Sequence, residues 1–129
     1  MAQGITLTIR PGVTAYFLSA TSGLTVSGTL VALGTAAQPI TLTSFQTTPQ
    51  PGDWSGLMLF GGGRVRLEYV DLSYAGHGRH TAWYHAGCTN ADYFPLPDDG
   101  GAGIWVENYG PVVAYADLEL RYSRLQVSQ

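Results

Sequence analysis

All three histidines and the single cysteine of the chain fall in one short stretch, His77-Gly-Arg-His80-Thr-Ala-Trp-Tyr-His85-Ala-Gly-Cys88. Imidazole nitrogen and thiolate sulfur are the donors that zinc and other late first-row metals prefer, and four of them close a tetrahedral site. His77, His80, His85 and Cys88 are therefore a candidate zinc set, able to clip a long loop much as a disulfide would. The H-x2-H-x4-H-x2-C spacing matches no standard zinc signature, whose ligand pairs are spaced differently. The simpler alternative is a polar surface loop, with His77 and His80 solvated and Cys88 buried as a small apolar residue.

The same stretch carries a second kind of chemistry. Trp83, Tyr84, Tyr93 and Phe94 are followed by Pro95, Pro97, Asp98 and Asp99. Aromatic faces stack on sugar rings and carboxylates accept hydroxyl hydrogen bonds, so Trp83, Tyr84, Tyr93, Asp98 and Asp99 are candidate ligand-binding residues. The alternative is a small satellite core that folds the segment back on its scaffold. A catalytic reading needs more. A glycosidase requires two carboxylates at a set separation, one of them with a raised pKa. Asp71 and Asp117 occupy matching places in the repeated words Val70-Asp71-Leu72-Ser73-Tyr74 and Ala116-Asp117-Leu118-Glu119-Leu120, and stacked coils would bring them within about 5 Å. Any residue type at a repeated position makes such a ladder, and Asp before an apolar strand is often a turn former. Lys is absent, so a basic catalyst would have to be an Arg. No order of nucleophile and base can be assigned to Cys88 and the histidines. The expectation is a non-catalytic module whose loop meets a glycan or a protein partner.

These residues need a scaffold, and the scaffold is all-β. Gly or Pro breaks nearly every window long enough for a helix. Short alternating runs appear instead, such as Ile5-Thr6-Leu7-Thr8-Ile9, Ile40-Thr41-Leu42-Thr43 and Leu57-Met58-Leu59-Phe60. Leu7, Leu24, Ile40 and Leu57 follow one another at 17, 16 and 17 residues. A fixed period with two or three strands in each turn is the mark of a β-solenoid, whose coils stack on one continuous core. Residues 76–103 interrupt it with Gly, His, Asp and Pro, an insertion too long to be an ordinary connection.

Composition sets further limits. The chain has 129 residues, 45% hydrophobic and 12% charged, with six basic residues that are all Arg and a net charge of −3. One domain with a real core fits these values. No basic field exists to hold a phosphate backbone, which excludes nucleic acid. The apolar runs fall far short of the ~20 residues that cross a bilayer as a helix. One cysteine leaves no internal disulfide, and Met-Ala-Gln-Gly has none of the features of a signal peptide.

Three words resemble secreted and cell-surface bacterial domains of the right-handed parallel β-helix repeat family. They are Leu7-Thr8-Ile9-Arg10-Pro11-Gly12-Val13-Thr14, the run from Gly28 to Ser44, and Pro51-Gly52-Asp53-Trp54-Ser55-Gly56-Leu57, with Leu67-Glu68-Tyr69-Val70 continuing the pattern. The resemblance covers residues 5–75 well and 104–128 loosely. It implies a right-handed parallel β-helix of about four to five coils with one long loop insertion at 76–103, residues 1–129 forming a single domain. It also implies an extracellular or cell-surface setting, where such domains serve as spacers, adhesion modules and some polysaccharide-acting enzymes. Trp54 is expected to pack at a corner of the coil, with a sugar-stacking platform as its alternative role. No amphipathic capping helix is read at either end, so the expectation is either a fragment of a longer surface protein or homo-oligomers formed by pairing of solenoid ends. Thr8, Thr25 and Thr41 suggest a column of threonines of the kind a flat ice-binding face uses, short and interrupted at Met58.

Overall fold

Residues 1–77, 104–106 and 117–126 are described by the structure, a computed structural model. Each alternating run has become a short strand: β1 (Thr6–Ile9), β2 (Thr14–Phe17), β3 (Gly23–Val26), β4 (Thr29–Leu33), β5 (Ile40–Ser44), β6 (Gly56–Leu59), β7 (Arg64–Glu68), β8 (Val70–Ser73), β9 (Ile104–Val106), β10 (Asp117–Arg121) and β11 (Arg124–Gln126). Strands this short bury too little alone to be stable, so each depends on the strand stacked beside it.

Successive strands fall on successive sheets. The first sheet runs β1-β4-β7-β10, the second β2-β5-β8-β11 and the third β3-β6-β9. Every pairing among these strands is parallel. The chain thus completes three coils and begins a fourth with β10 and β11, which is the parallel β-helix expected from the sequence. β1, β2 and β3 end their sheets on one side, where Met1 lies along β3 and accepts the Ser27 N–H at 3.1 Å.

Alternation sends every second side chain inward, where equal register stacks them. Leu7, Leu30, Val65 and Leu118 form one column, and Ala15, Leu42, Leu72 and Leu125 another. Leu30, Leu42, Val65 and Leu72, in the two middle coils, are fully buried. Leu7 and Leu125, in the first and fourth coils, keep part of their surface exposed. Burial of each fully enclosed aliphatic side chain contributes about 1.5–3 kcal/mol.

The register corrects three expectations. Leu7, Leu24, Ile40 and Leu57 are not one column, because they lie on the first, third, second and third sheets. Thr8, Thr25 and Thr41 likewise occupy three different sheets, so these three do not stack in one column. Asp71 and Asp117 are not stacked: Asp71 pairs with Arg124 on the second sheet and Asp117 with Arg64 on the first. The physical cause is the corners. Residues 34–39 join β4 to β5, whereas Tyr69 alone joins β7 to β8. Strand spacing along the chain therefore does not report coil number.

One corner sets a hard steric limit. Gly28 and Gly63 stand just before β4 and β7, at matching places in successive coils. A Cβ on Gly63 would run into the carbonyl oxygens of Val26 and Phe60, and one on Gly28 into those of Ile5 and Ala2. Backbone cannot rotate away as a side chain can. Gly63→Ala is therefore expected to cost about 3 kcal/mol. Gly4→Ala, which meets nothing within 4 Å but keeps a φ of +79, should cost about 1 kcal/mol of left-handed strain. Urea midpoints of the two variants check this, and equal losses would count against crowding at the corner.

Candidate functional site

The inward half of each strand makes the core, so the outward half is what another molecule can meet. On the first sheet that half changes along the stack: Thr6, Thr8, Thr29 and Val31 face outward from β1 and β4, and charged residues from β7 and β10. Arg64 and Asp117, Arg66 and Glu119, and Glu68 and Arg121 are register partners, three successive pairs of opposite sign. Glu119 is paired with two guanidinium groups, Arg121 Nε lying 2.6 Å from Oε1 and Arg66 Nε 3.4 Å from Oε2. Exposed pairs of this kind are each worth less than about 1 kcal/mol.

The second sheet differs. Its outward rows run Thr14, Thr41, Asp71, Arg124 and Tyr16, Thr43, Ser73, with Gln126 at the next register position. The Thr43 and Ser73 hydroxyls lie 2.9 Å apart and share one hydrogen bond. Asp71 is the one carboxylate on this strip among the described residues. Its Oδ1 is shielded by its neighbours and takes no hydrogen bond, and Arg124 Nε stands 4.0 Å away, beyond hydrogen-bonding reach. Half of the Asp71 side chain is nevertheless exposed, so the rest of the carboxyl group faces solvent. At the edge of the strip Tyr16 and Phe45 meet edge to face at 6.1 Å, both largely exposed.

Two tyrosines mark the corner between the first and second sheets. Tyr69 and Tyr122 take left-handed backbone, φ 49 and 47, and their rings stack at 5.0 Å and 14°. Left-handed φ costs a bulky residue about 1–2 kcal/mol, and an aromatic pair returns about 0.5–1.5 kcal/mol. The stack offsets at best one of the two strained residues.

The Pro-Gly-Asp-Trp turn works from inside. Gly52 supplies a φ of 85, and Asp53 Oδ2 accepts from the buried Ser44 hydroxyl at 2.6 Å and from Gln50 N–H at 3.0 Å. That fixes Trp54, which is 0% exposed. Its ring lies flat on Phe17 at 3.8 Å, and its Nε1 donates to the Ser73 carbonyl at 2.8 Å. Trp54 is a packing residue, and its alternative role as a sugar platform is excluded by burial. Its own carbonyl accepts the N–H groups of Gly76 and His77 at 2.9 and 3.0 Å. The start of the 76–103 insertion is thereby tied to the corner beside Ser73 and the hydroxyl strip.

His77 is exposed at that start. His80, His85 and Cys88 lie outside the described residues, as do Trp83, Tyr84, Tyr93, Asp98 and Asp99. Among the described residues no three metal-donor side chains gather. Thr43 and Ser73 were not singled out by sequence, and Thr41 only as part of a threonine column. A signal for part of the strip exists in hindsight: Glu68-Tyr69-Val70-Asp71 aligns with Arg121-Tyr122-Ser123-Arg124, a charged residue, a tyrosine and a second charged residue in each coil.

A family model described as a pectate-lyase-like beta helix domain matches residues 1–82, which take in β1 to β8 and the start of the insertion. No curated protein and no solved structure matches the chain.

Because Trp54 joins three coils, Trp54→Ala is expected to lose about 3–5 kcal/mol. Thr43→Val, which removes one shared hydroxyl bond at the surface, should lose about 1 kcal/mol or less. Chemical denaturation of the two variants tests the distinction, and a mild effect at Trp54 would refute its packing role.

Proposed function

The chain belongs to the family of pectate-lyase-like β-helix domains, and on that premise we propose that it is a non-catalytic, glycan-binding module working outside the cell or at its surface. The observation that carries this reading is the outward strip of the second sheet. It is a flat row of hydroxyls with one open carboxylate–guanidinium pair and an aromatic edge. Hydroxyls, a carboxylate and a guanidinium exchange hydrogen bonds with sugar hydroxyls in both directions, and aromatic faces cover the apolar side of a sugar ring. The insertion begins beside this strip, so Trp83, Tyr84, Tyr93, Asp98 and Asp99 would extend the same surface.

The arrangement of carboxylates supports binding rather than cleavage. Asp53 is used inside its turn, and Glu119 is held by two arginines. Glu68 faces Arg121 on the first sheet, away from Asp71 on the second. On the second-sheet strip Asp71 is the one carboxylate among the described residues, whereas glycoside hydrolysis needs two.

Affinity electrophoresis against soluble xylan, mixed-linkage β-glucan and polygalacturonate tests the reading. At least one polysaccharide is expected to retard the protein, with EDTA present as well as absent. Asp71→Ala should weaken that binding roughly tenfold, the weight of one charge-assisted hydrogen bond. Release of reducing ends or unsaturated uronates, abolished by Asp71→Asn, would make the chain an enzyme and overturn the proposal. Loss of binding in EDTA would instead favour a role for zinc at His77, His80, His85 and Cys88.

A further inference from the structure

The tyrosine corner holds a property that its turn does not require. A left-handed corner residue is best filled by Gly or Asn, yet both coils place Tyr there, Tyr69 as the whole link in one and Tyr122 as the first of two link residues in the next. The second ring gains little from burial, since Tyr122 is 75% exposed. Its position is nonetheless held firmly. Tyr69 N–H donates to the Arg121 carbonyl at 3.1 Å, Ser123 Oγ donates to that same carbonyl at 2.8 Å, and Val70 N–H donates to Ser123 Oγ at 3.2 Å. One face of the Tyr122 ring rests on Tyr69 and the other is free. A rigid aromatic face open to water, two residues before Arg124 at the edge of the hydroxyl strip, is a stacking surface awaiting a partner.

We propose that Tyr122, backed by Tyr69, is a platform for a pyranose ring of a β-linked glucan or xylan chain. The choice of sugar follows from shape. A ring whose substituents are all equatorial presents flat faces of axial C–H groups, which lie flush on an aromatic ring. An axial hydroxyl, as in galacturonate, breaks one of those faces. A chain seated on Tyr122 would pass its next hydroxyls to Arg124 and Asp71, which stand on adjoining strands of the second sheet. This inference rests on the glycan-binding reading above and adds the class of sugar and the place where one ring sits.

The test uses xylohexaose, cellohexaose and a galacturonate hexamer, titrated by calorimetry into the full chain and three variants. Tyr122→Phe keeps the ring face and should bind within about twofold of the parent. Tyr122→Gly suits the left-handed backbone, so it should fold while losing the ring, and its affinity for xylohexaose or cellohexaose should fall about tenfold. In the parent, upfield shifts of sugar C–H protons on binding, absent in Tyr122→Gly, would mark stacking. If Tyr122→Gly binds like the parent while Asp71→Ala binds weakly, the platform is overturned and the strip reading survives. Tighter binding of the galacturonate hexamer, insensitive to Tyr122, also overturns it. Binding of none of the three oligosaccharides by the parent defeats both readings.

Discussion

Everything that positions the outer surface depends on how Trp54 is held. A β-helix corner is a place where the chain leaves one ladder and enters the next, and it exposes core unless something large closes it. Trp54 closes the corner between the second and third sheets. It lies on Phe17 of the first coil and donates to Ser73 of the third, while belonging to the second. Three coils are thus pinned by one ring and one indole N–H. The same residue's carbonyl accepts Gly76 and His77, so the insertion leaves the scaffold from a fixed point. An aromatic burial of this size, with its polar atom satisfied, is among the strongest single contributions a small core can contain.

Register then decides what the surface can do. Parallel stacking places equivalent outward residues one strand apart, so a choice made in one coil is felt directly by the next. Between β7 and β10 of the first sheet those choices are opposite charges, and Glu119 is paired with two arginines, while β1 and β4 present Thr6, Thr8, Thr29 and Val31. On the second sheet they are hydroxyls, with one acid and one base that do not reach each other. The contrast matters because charge already held in ion pairs offers little to a ligand, whereas exposed hydroxyls both donate to and accept from one. Two faces of one scaffold, built by the same ladder rule, therefore have different capacities for recognition.

The parts of this arrangement that were legible in sequence are those governed by local pattern. Alternation in Ile40-Thr41-Leu42-Thr43 marks a strand because it is a property of neighbours in the chain. The Pro51-Gly52-Asp53-Trp54 turn and the burial of Trp54 were legible for the same reason. Coil membership was not, because it is set by corner length, and corners here range from Tyr69 alone to residues 34–39. That is why Asp71 and Asp117, alike in their local words, proved to stand on different sheets. The hydroxyl strip escaped notice for a related reason. Thr and Ser at outward positions look like ordinary solvent-facing strand residues until the register shows which of them share a face. The metal and aromatic candidates between His80 and Asp99 lie outside the described residues.

The tyrosine corner shows how a local conflict can be informative where agreement is not. Most positions in this chain obey their local preference: glycine where backbone crowds at Gly28 and Gly63, and β-branched or aliphatic residues in strands. Tyr74, with a φ of 61, departs from it after β8, and Tyr69 and Tyr122 do so at equivalent places in two coils. A single bulky residue in left-handed backbone could be an accident of drift, but two in register need a shared cause. Their mutual stack is part of that cause, yet it recovers only about half of the strain that two such residues bring. The exposed remainder of Tyr122 is where the rest must be sought. Sequences consistent at every level fold well, and the places that depart from that consistency are where function is usually found.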